Sequence, residues 1–461
     1  NAFTGAINIV TKNAASNKTN LAVAQGSFDS NQLSITEQIQ TEKQQHIAHF
    51  SLQESDGYRY NTDFKNLHVF TKSSFAAGAS NINVMTMFTE RKFGANGFYR
   101  ATTATEQYEE TQSSLVALTS TLVSENQNWR LTPRLFWKRG QDEYIYIRNN
   151  PSVFRNLHIT NRLGTSLDAK NKNSLGVTGF GVEFSRVNIQ SNNLGDKNRT
   201  VAHLFFEHRF TTGSFDITPG FAWSNYSDMG GFFYPGVDMG YRLSERVKLT
   251  YNTGYTYRIP TYTDLFYQSA TTKGNANLQP EKALSHEISM RYQAQKWSVE
   301  AAIFQRNGEN LIDFVKQSPN DEAWVAENID ENIRTVGGEL NAVWKYQIGK
   351  QQHTLNLSYA YLEDDYIKTV YSKYALNFLK HDANLQLTKQ FSSRFSSTAA
   401  YRYAERALGD TYQLFNLQID YALGAKWKVS LQGRNLFNVT YYENLIPMPK
   451  AHGMLTLRYS L

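Results

Sequence analysis

Side chains capable of covalent chemistry occur in this chain, but not in reactive company. There is no cysteine, which removes thiol nucleophiles, thiolate metal sites and disulfide frameworks together. Serine and histidine are frequent, yet no Gly-x-Ser-x-Gly elbow, His-Glu-x-x-His pair or Walker loop is found. No catalytic residue is therefore expected, and no enzyme. What stands out is aromatic content: 28 Tyr, 28 Phe and 7 Trp, or 14% of 461 residues. Aromatic faces give large contact area at small entropic cost, which suits binding. Candidates between the regular elements are Phe93, Phe98, Tyr99, Tyr144, Tyr146, Tyr234, Tyr262, Tyr267, Trp324 and Met448. The alternative is that these residues pack loops on one another, and the sequence leaves both open.

The charge balance limits partners. Forty-seven Lys+Arg against 41 Asp+Glu give +6, spread without a basic run. No nucleic-acid partner is expected from that pattern. No stretch approaches the ~18 apolar residues of a spanning helix. A polar chain rich in aromatics and lacking such a helix fits one membrane architecture, the β-barrel.

Alternation along the chain supports it. Leu355, Leu357, Tyr359 and Tyr361 share one face, with Thr354, Asn356 and Ser358 on the other. Ile288, Met290 and Tyr292 oppose Glu287, Ser289, Arg291 and Gln293; Val429 and Leu431 oppose Lys428, Ser430 and Gln432; Leu455, Leu457 and Tyr459 oppose Thr456, Arg458 and Ser460. Period two with one oily face is what a strand between lipid and water requires. Glu287, Arg291, Lys428, Gln432 and Arg458 are thereby placed in the lumen. Trp137, Tyr241, Tyr257, Trp297, Trp344, Trp427 and Tyr459 are candidates for interfacial girdles.

Connections add a parity. Short polar turns, such as Thr41 to Gln44, Lys170 to Asn173 and Leu423 to Lys426, alternate with longer segments such as Lys92 to Gln107, Arg258 to Glu281 and Asn307 to Asn332. Short periplasmic turns and long external loops predict this order. The spacing predicts an all-β, transmembrane antiparallel barrel of about 22 strands, with both ends periplasmic. A propeller would repeat every four strands, and no such repeat is found. A passive porin or adhesion barrel is the competing non-enzymatic class, but no loop concentrates opposed Arg and Asp as a constriction would.

Three segments carry a family resemblance. Asn1 to Lys12 (NAFTGAINIVTK) is similar to the last strand of a plug domain. Tyr257-Arg258-Ile259-Pro260, followed by Asn275-Ala276-Asn277-Leu278-Gln279-Pro280-Glu281, resembles a paired mid-barrel motif. Gly433 to Tyr441 (GRNLFNVTY) resembles the start of a final external loop. Together they resemble the TonB-dependent outer-membrane receptors. That resemblance implies residues 1–15 as the end of a plug and 16–461 as the barrel. It implies a plug of over a hundred residues ahead of this segment, so the chain is expected to be trimmed. It further implies outer-membrane lipid, the chain's own plug, TonB and a surface lipoprotein lid as partners.

Resemblance also bears on the cargo. Arg91 to Tyr99 with Glu106 to Glu109, and Ile446-Pro447-Met448-Pro449, are similar to loops of cobalamin receptors of Bacteroidota type. Those relatives continue with Gly-Arg-aromatic after the last Pro, where Lys450-Ala451-His452 stands here. Cobalamin is the first expectation and a ferric siderophore the alternative. Haem receptors of the family resemble a pattern with a His between the mid-barrel motifs; none lies from Arg258 to Leu278. No resident cofactor or metal is expected beyond a loop calcium, for which Glu363-Asp364-Asp365 is the best acidic cluster.

Overall fold

The computed structural model describes residues 9–98, 103–329, 332–365, 371–373, 378–443 and 445–461. Twenty-two strands form one sheet, each antiparallel to its neighbours, from Lys18–Gly26 to His452–Ser460. The ring shuts where the first strand meets the last, in register from Asn20 opposite Ser460 to Gly26 opposite Met454. Closure leaves no free edge, the condition for backbone polar groups to sit in hydrocarbon. Among the described residues one five-residue helix, Tyr262–Phe266, lies in a connection.

Side-chain period explains why these residues make this ring. The outer wall carries Val23, Leu33, Ile35, Leu135, Leu163, Phe184, Phe233, Ile288, Ile303, Leu357, Leu431 and Leu455, all exposed large hydrophobics. Directly paired residues share a face, and cross-strand partners keep one face inward around the circuit. Arg458, for example, sits opposite both Ala22 and Lys428. A one-residue slip anywhere would turn a strand's oily set into the lumen. Three inward phenylalanines lie over glycines of the next strand: Phe136 on Gly164, Phe205 on Gly181 and Phe304 on Gly337. A Cβ at Gly181 would stand 2.1 Å from the Phe205 ring, and one at Gly337 2.3 Å from Phe304. Glycine lets each ring lie flat against the wall.

The parity of connections holds. Turns 41–43, 78–79, 124–128, 213–214, 294–296, 349–350 and 423–426 mark one end; 56–63, 95–107, 146–154, 259–280, 310–332 and 435–451 mark the other. One predicted turn shifts. Strands Arg155–Asn173 and Gly176–Ser191 run on past Lys170, and the turn is 174–175. There Leu175 N donates to Asn173 Oδ1 at 2.9 Å. The polar residues read as a turn are strand residues that have left the lipid.

Five of the seven girdle candidates, Tyr241, Trp297, Trp344, Trp427 and Tyr459, lie toward the short-turn end, and Trp137 lies higher on its strand. Trp297 stacks on Trp344 at 5.3 Å and Trp427 packs on Tyr459 at 4.7 Å. Tyr257 is used differently: its ring meets Phe232 at 5.3 Å and Tyr234 at 5.1 Å near the mouth. Asn1 to Asn8 lie outside the described residues. Residues 9–17 form no strand, and Lys72 Nζ donates to Thr11 Oγ1 at 3.0 Å from the inner wall.

Candidate functional site

The long connections build the mouth of the barrel, and they do so in three assemblies. The first is polar. Segments 56–63, 95–107 and 146–154 interlock through Asn61 Nδ2, which donates to Thr105 O and Gln107 O at 2.8 and 2.7 Å. Asn96 Nδ2 donates to Tyr60 O at 2.7 Å. Arg148 grips Asp63 in a fork at 2.7 and 2.9 Å and lies over the Tyr108 ring at 4.3 Å. The guanidinium holds the Asp63 carboxyl below its ordinary range, and Asp63 in turn raises Arg148.

The second assembly has an apolar core. Leu311–Lys316 pairs antiparallel with Trp324–Ile329 and with Tyr371–Ser372, and Thr272–Lys273 joins in parallel. Beneath this small sheet, Leu265, Leu278, Phe314 and Ala326 are buried together, with Phe266, Ile312 and Trp324 against them. Thr261 caps the short helix through a reciprocal box with Asp264. The mid-barrel motif forms its hinge pin. Arg258 clamps Glu281 with two bonds of 2.5 Å and reaches Asp264 at 3.3 Å, while Glu281 Oε1 accepts Ile312 N at 2.8 Å. The sequence motif thus ties the roots of two long loops together, with Glu281 almost fully buried.

The third is the final connection. Asn435 is 2% exposed and in the left-handed region. Its side chain donates to Val439 O at 2.8 Å and Pro449 O at 3.1 Å, and accepts Val439 N at 3.0 Å. Glu443 accepts from Arg406 and Tyr412. Tyr58 OH donates to Pro447 O at 2.5 Å and so joins this assembly to the first.

Candidate aromatics fall into distinct places. Tyr144 is inward on its strand, accepts from Gln107 Nε2 at 2.6 Å and is paired with Asn156. Asn156 donates to the Tyr267 hydroxyl at 3.2 Å, so two candidates 123 positions apart in numbering meet through one amide. Burial raises the Tyr267 and Tyr262 hydroxyls above the ordinary tyrosine range. Tyr262 lies 5.0 Å from the Arg199 guanidinium, which also pairs with Asp228 at 2.8 Å. Tyr234 is buried against Tyr257. Phe93 faces the lumen opposite Phe64 and meets Phe98 at 6.1 Å. Tyr146 and Phe98 are exposed. Trp324 is used in packing, with Lys316 over its ring at 5.2 Å. Met448 is held in the final connection by its N–H to Tyr441 O at 2.9 Å. Tyr99 lies outside the described residues.

Lumen candidates share one inward set. Arg291 pairs with Glu300 at 3.0 Å, Lys428 with Asp420 at 3.3 Å, and Arg458 donates to Ser430 Oγ at 2.8 Å. Glu287 stands opposite Asn252 and Phe304. Gln432 and Arg458 line a cavity of about 540 Å³ on the inner wall, with Gln32, Gln53, Tyr58 and Arg434. The acidic run 363–365 splits. Glu363 bonds outward with Tyr361 and Lys380, whereas Asp364 accepts Thr335 Oγ1 at 2.5 Å on the inner face. Neighbours on a strand point to opposite faces, so these carboxylates do not converge. Among the described residues no three His, Asp or Glu gather as metal ligands. Sequence reasoning missed Tyr58, Asn156 and Arg199. Only Asn435 carried a local signal, an Asn inside a turn-like motif.

Known proteins share this architecture. The siderophore receptor PirA from Pseudomonas aeruginosa superposes with a TM-score of 0.75 at 14% identity, over 98% of this chain and 82% of that one. A Serratia marcescens hemophore receptor, HasR, solved with its hemophore and heme, gives 0.79 at 15% identity, over 97% and 81%. In sequence, the vitamin B12 transporter BtuB of Vibrio vulnificus is 26% identical over 214 residues, 44% of this chain and 32% of that protein. The BtuB of Photobacterium profundum is 24% identical over 208 residues, 44% and 33%. The chain thus matches about a third of the length of these curated relatives. The family described as TonB dependent receptor-like, beta-barrel matches residues 43–436. With strand count, closure and loop parity in agreement, the chain belongs to this family of outer-membrane β-barrels.

Proposed function

We propose that this barrel is the wall and mouth of an active-transport receptor for a scarce, compact nutrient, and not an enzyme. The observation that carries it is the braced external mouth above a closed ring with a polar, aromatic-lined lumen. A 22-strand ring is wide enough to pass a large cofactor-sized solute once its lumen is regulated. A plug supplied by sequence ahead of this segment would do that. TonB would pull the plug, and inward Glu287, Arg291, Lys428, Gln432 and Arg458 would face it. Loop aromatics Phe93, Phe98, Tyr99, Tyr144, Tyr146, Tyr234, Tyr262 and Tyr267, with Met448, would receive the cargo above it.

Cobalamin is the cargo favoured, supported by the names of the curated relatives. A corrin ring offers broad apolar faces and amide edges, which suit tyrosines interleaved with Gln and Asn. A ferric siderophore is the alternative; guanidiniums inside the mouth, such as Arg434, would suit an anionic chelate. A surface lipoprotein lid over the mouth belongs to the same proposal. Titration of the purified full-length receptor with cyanocobalamin and with ferric enterobactin tests it. Tight binding of cyanocobalamin is expected. Binding of neither, with capture of an oligosaccharide instead, would overturn the cargo and leave the barrel standing.

A further inference from the structure

Outward charges near the long-loop end are mostly paired. Lys65 meets Glu54 at 3.7 Å, Lys92 meets Glu110 at 3.5 Å, Arg155 meets Glu143 at 2.5 Å and Lys282 meets Glu309 at 3.6 Å. Below the Arg155–Glu143 pair, the wall made by strands Trp129–Ile145, Arg155–Asn173, Gly176–Ser191 and Lys197–Thr212 breaks that rule. Arg139, Asn161, Asn188 and Asn198 stand in one row across these four strands, each directly opposite the next. They lie on the outer face, because Trp137 and Leu163 on the same parity are exposed to lipid. Arg186 is two residues from Asn188, so it shares that face.

Neither guanidinium has a carboxylate among the described ion pairs. Arg139 donates to Gln141 Oε1 at 2.9 Å and Arg186 to Asn188 Oδ1 at 3.3 Å. Outward positions between the oily belt and the paired Glu143 are amides, Ile159 and Thr200, with no acid. The indole of Trp137 sits just below and donates to Asn161 Oδ1 at 3.3 Å. Two strand spacings and one same-face step separate the two arginines, roughly 12 Å between their Cα atoms. Arginine side chains cover that gap from both sides. Two unneutralised cations therefore meet a row of neutral amides at the upper edge of the apolar belt, where headgroups of the external leaflet lie.

We propose that this patch is a binding site for a phosphate-bearing glycolipid of the outer leaflet. Arg139 and Arg186 would hold a phosphate through charge-assisted bonds. The Gln and Asn row would serve the sugar hydroxyls, and Trp137, Leu163 and Phe184 would take acyl chains. The site is independent of cargo and of the plug.

Native mass spectrometry of the full-length receptor in mild detergent tests it, with lipid A, chemically dephosphorylated lipid A and phosphatidylglycerol as probes. Lipid A should bind at least about tenfold better than either other lipid, and R139Q/R186Q should lose that preference. Arg155→Gln, outside the row, should keep it. Equal retention of lipid A and its dephosphorylated form by the unmodified receptor would overturn the phosphate site, whatever the variants do. Equal retention of phosphatidylglycerol would overturn the glycolipid assignment.

Discussion

Two loop assemblies share one rim and are held by different forces. The 259–280 and 310–332 segments bury leucine, phenylalanine and alanine under a small sheet. The described residues of the 56–63, 95–107 and 146–154 segments bury little apolar surface and are laced by amides and the Arg148 fork. The first resembles a miniature domain; the second is a hydrogen-bonded lattice. The difference teaches where the mouth can yield. An apolar core resists pH and salt, whereas a lattice built on exposed ions follows both.

Substitutions should separate the two. The largest effect is expected from Phe314→Ala, which empties a buried site in the apolar assembly and costs about 4 kcal/mol locally. Limited proteolysis between the two strands of the small sheet should accelerate steeply while barrel heat-modifiability stays unchanged; an unchanged cleavage rate would mean the core is not cooperative. Arg258→Ala strands the Glu281 carboxylate and should cost about 3 kcal/mol at the same roots. Arg258→Met with Glu281→Leu should recover part of it, because both charges of the clamp leave together while Asp264 and the Ile312 N–H each lose a partner. Asn435→Ala removes several bonds from the final connection and forces alanine into the left-handed region, for about 2 kcal/mol. Hydrogen exchange of 435–451 reads that loss.

A pH experiment addresses the lattice. The Asp63 carboxyl is held below its ordinary value by Arg148. A depressed acid stabilises fully above its unfolded value near 3.8 and loses that contribution as pH falls through the lowered one. Protection of the 146–154 segment against an acid-tolerant protease should therefore persist above the ordinary carboxylate value of 3.8 and fade only as pH falls below it, and Arg148→Gln should abolish the fade. The apolar assembly should show no matching transition; if both open together, the distinction fails. The smallest effect, within about 0.5 kcal/mol, belongs to Asn173→Ala at the short-turn end.

Why the ring was legible and the mouth was not follows from range. Ile288 next to Arg291, or Leu455 next to Arg458, declares its face to the reader because lipid and water impose a local period of two. Tyr144 and Tyr267 carry no such mark, since Asn156 joins them across distant parts of the chain. Trp324 looked like Tyr262 in sequence, yet it serves the loop core while Tyr262 stands beside Arg199. Composition could not divide packing from contact. The 363–365 acids are adjacent in sequence, but the strand continues through them and sends alternate carboxylates to opposite sides.

The seam between Lys18–Gly26 and His452–Ser460 has a consequence for biogenesis. Its two partners are the first and last strands of the ring in chain order, so no intermediate lacking either can be watertight. Until that last strand docks on the first, the sheet keeps two sticky margins that something must shield, and insertion becomes a single late commitment.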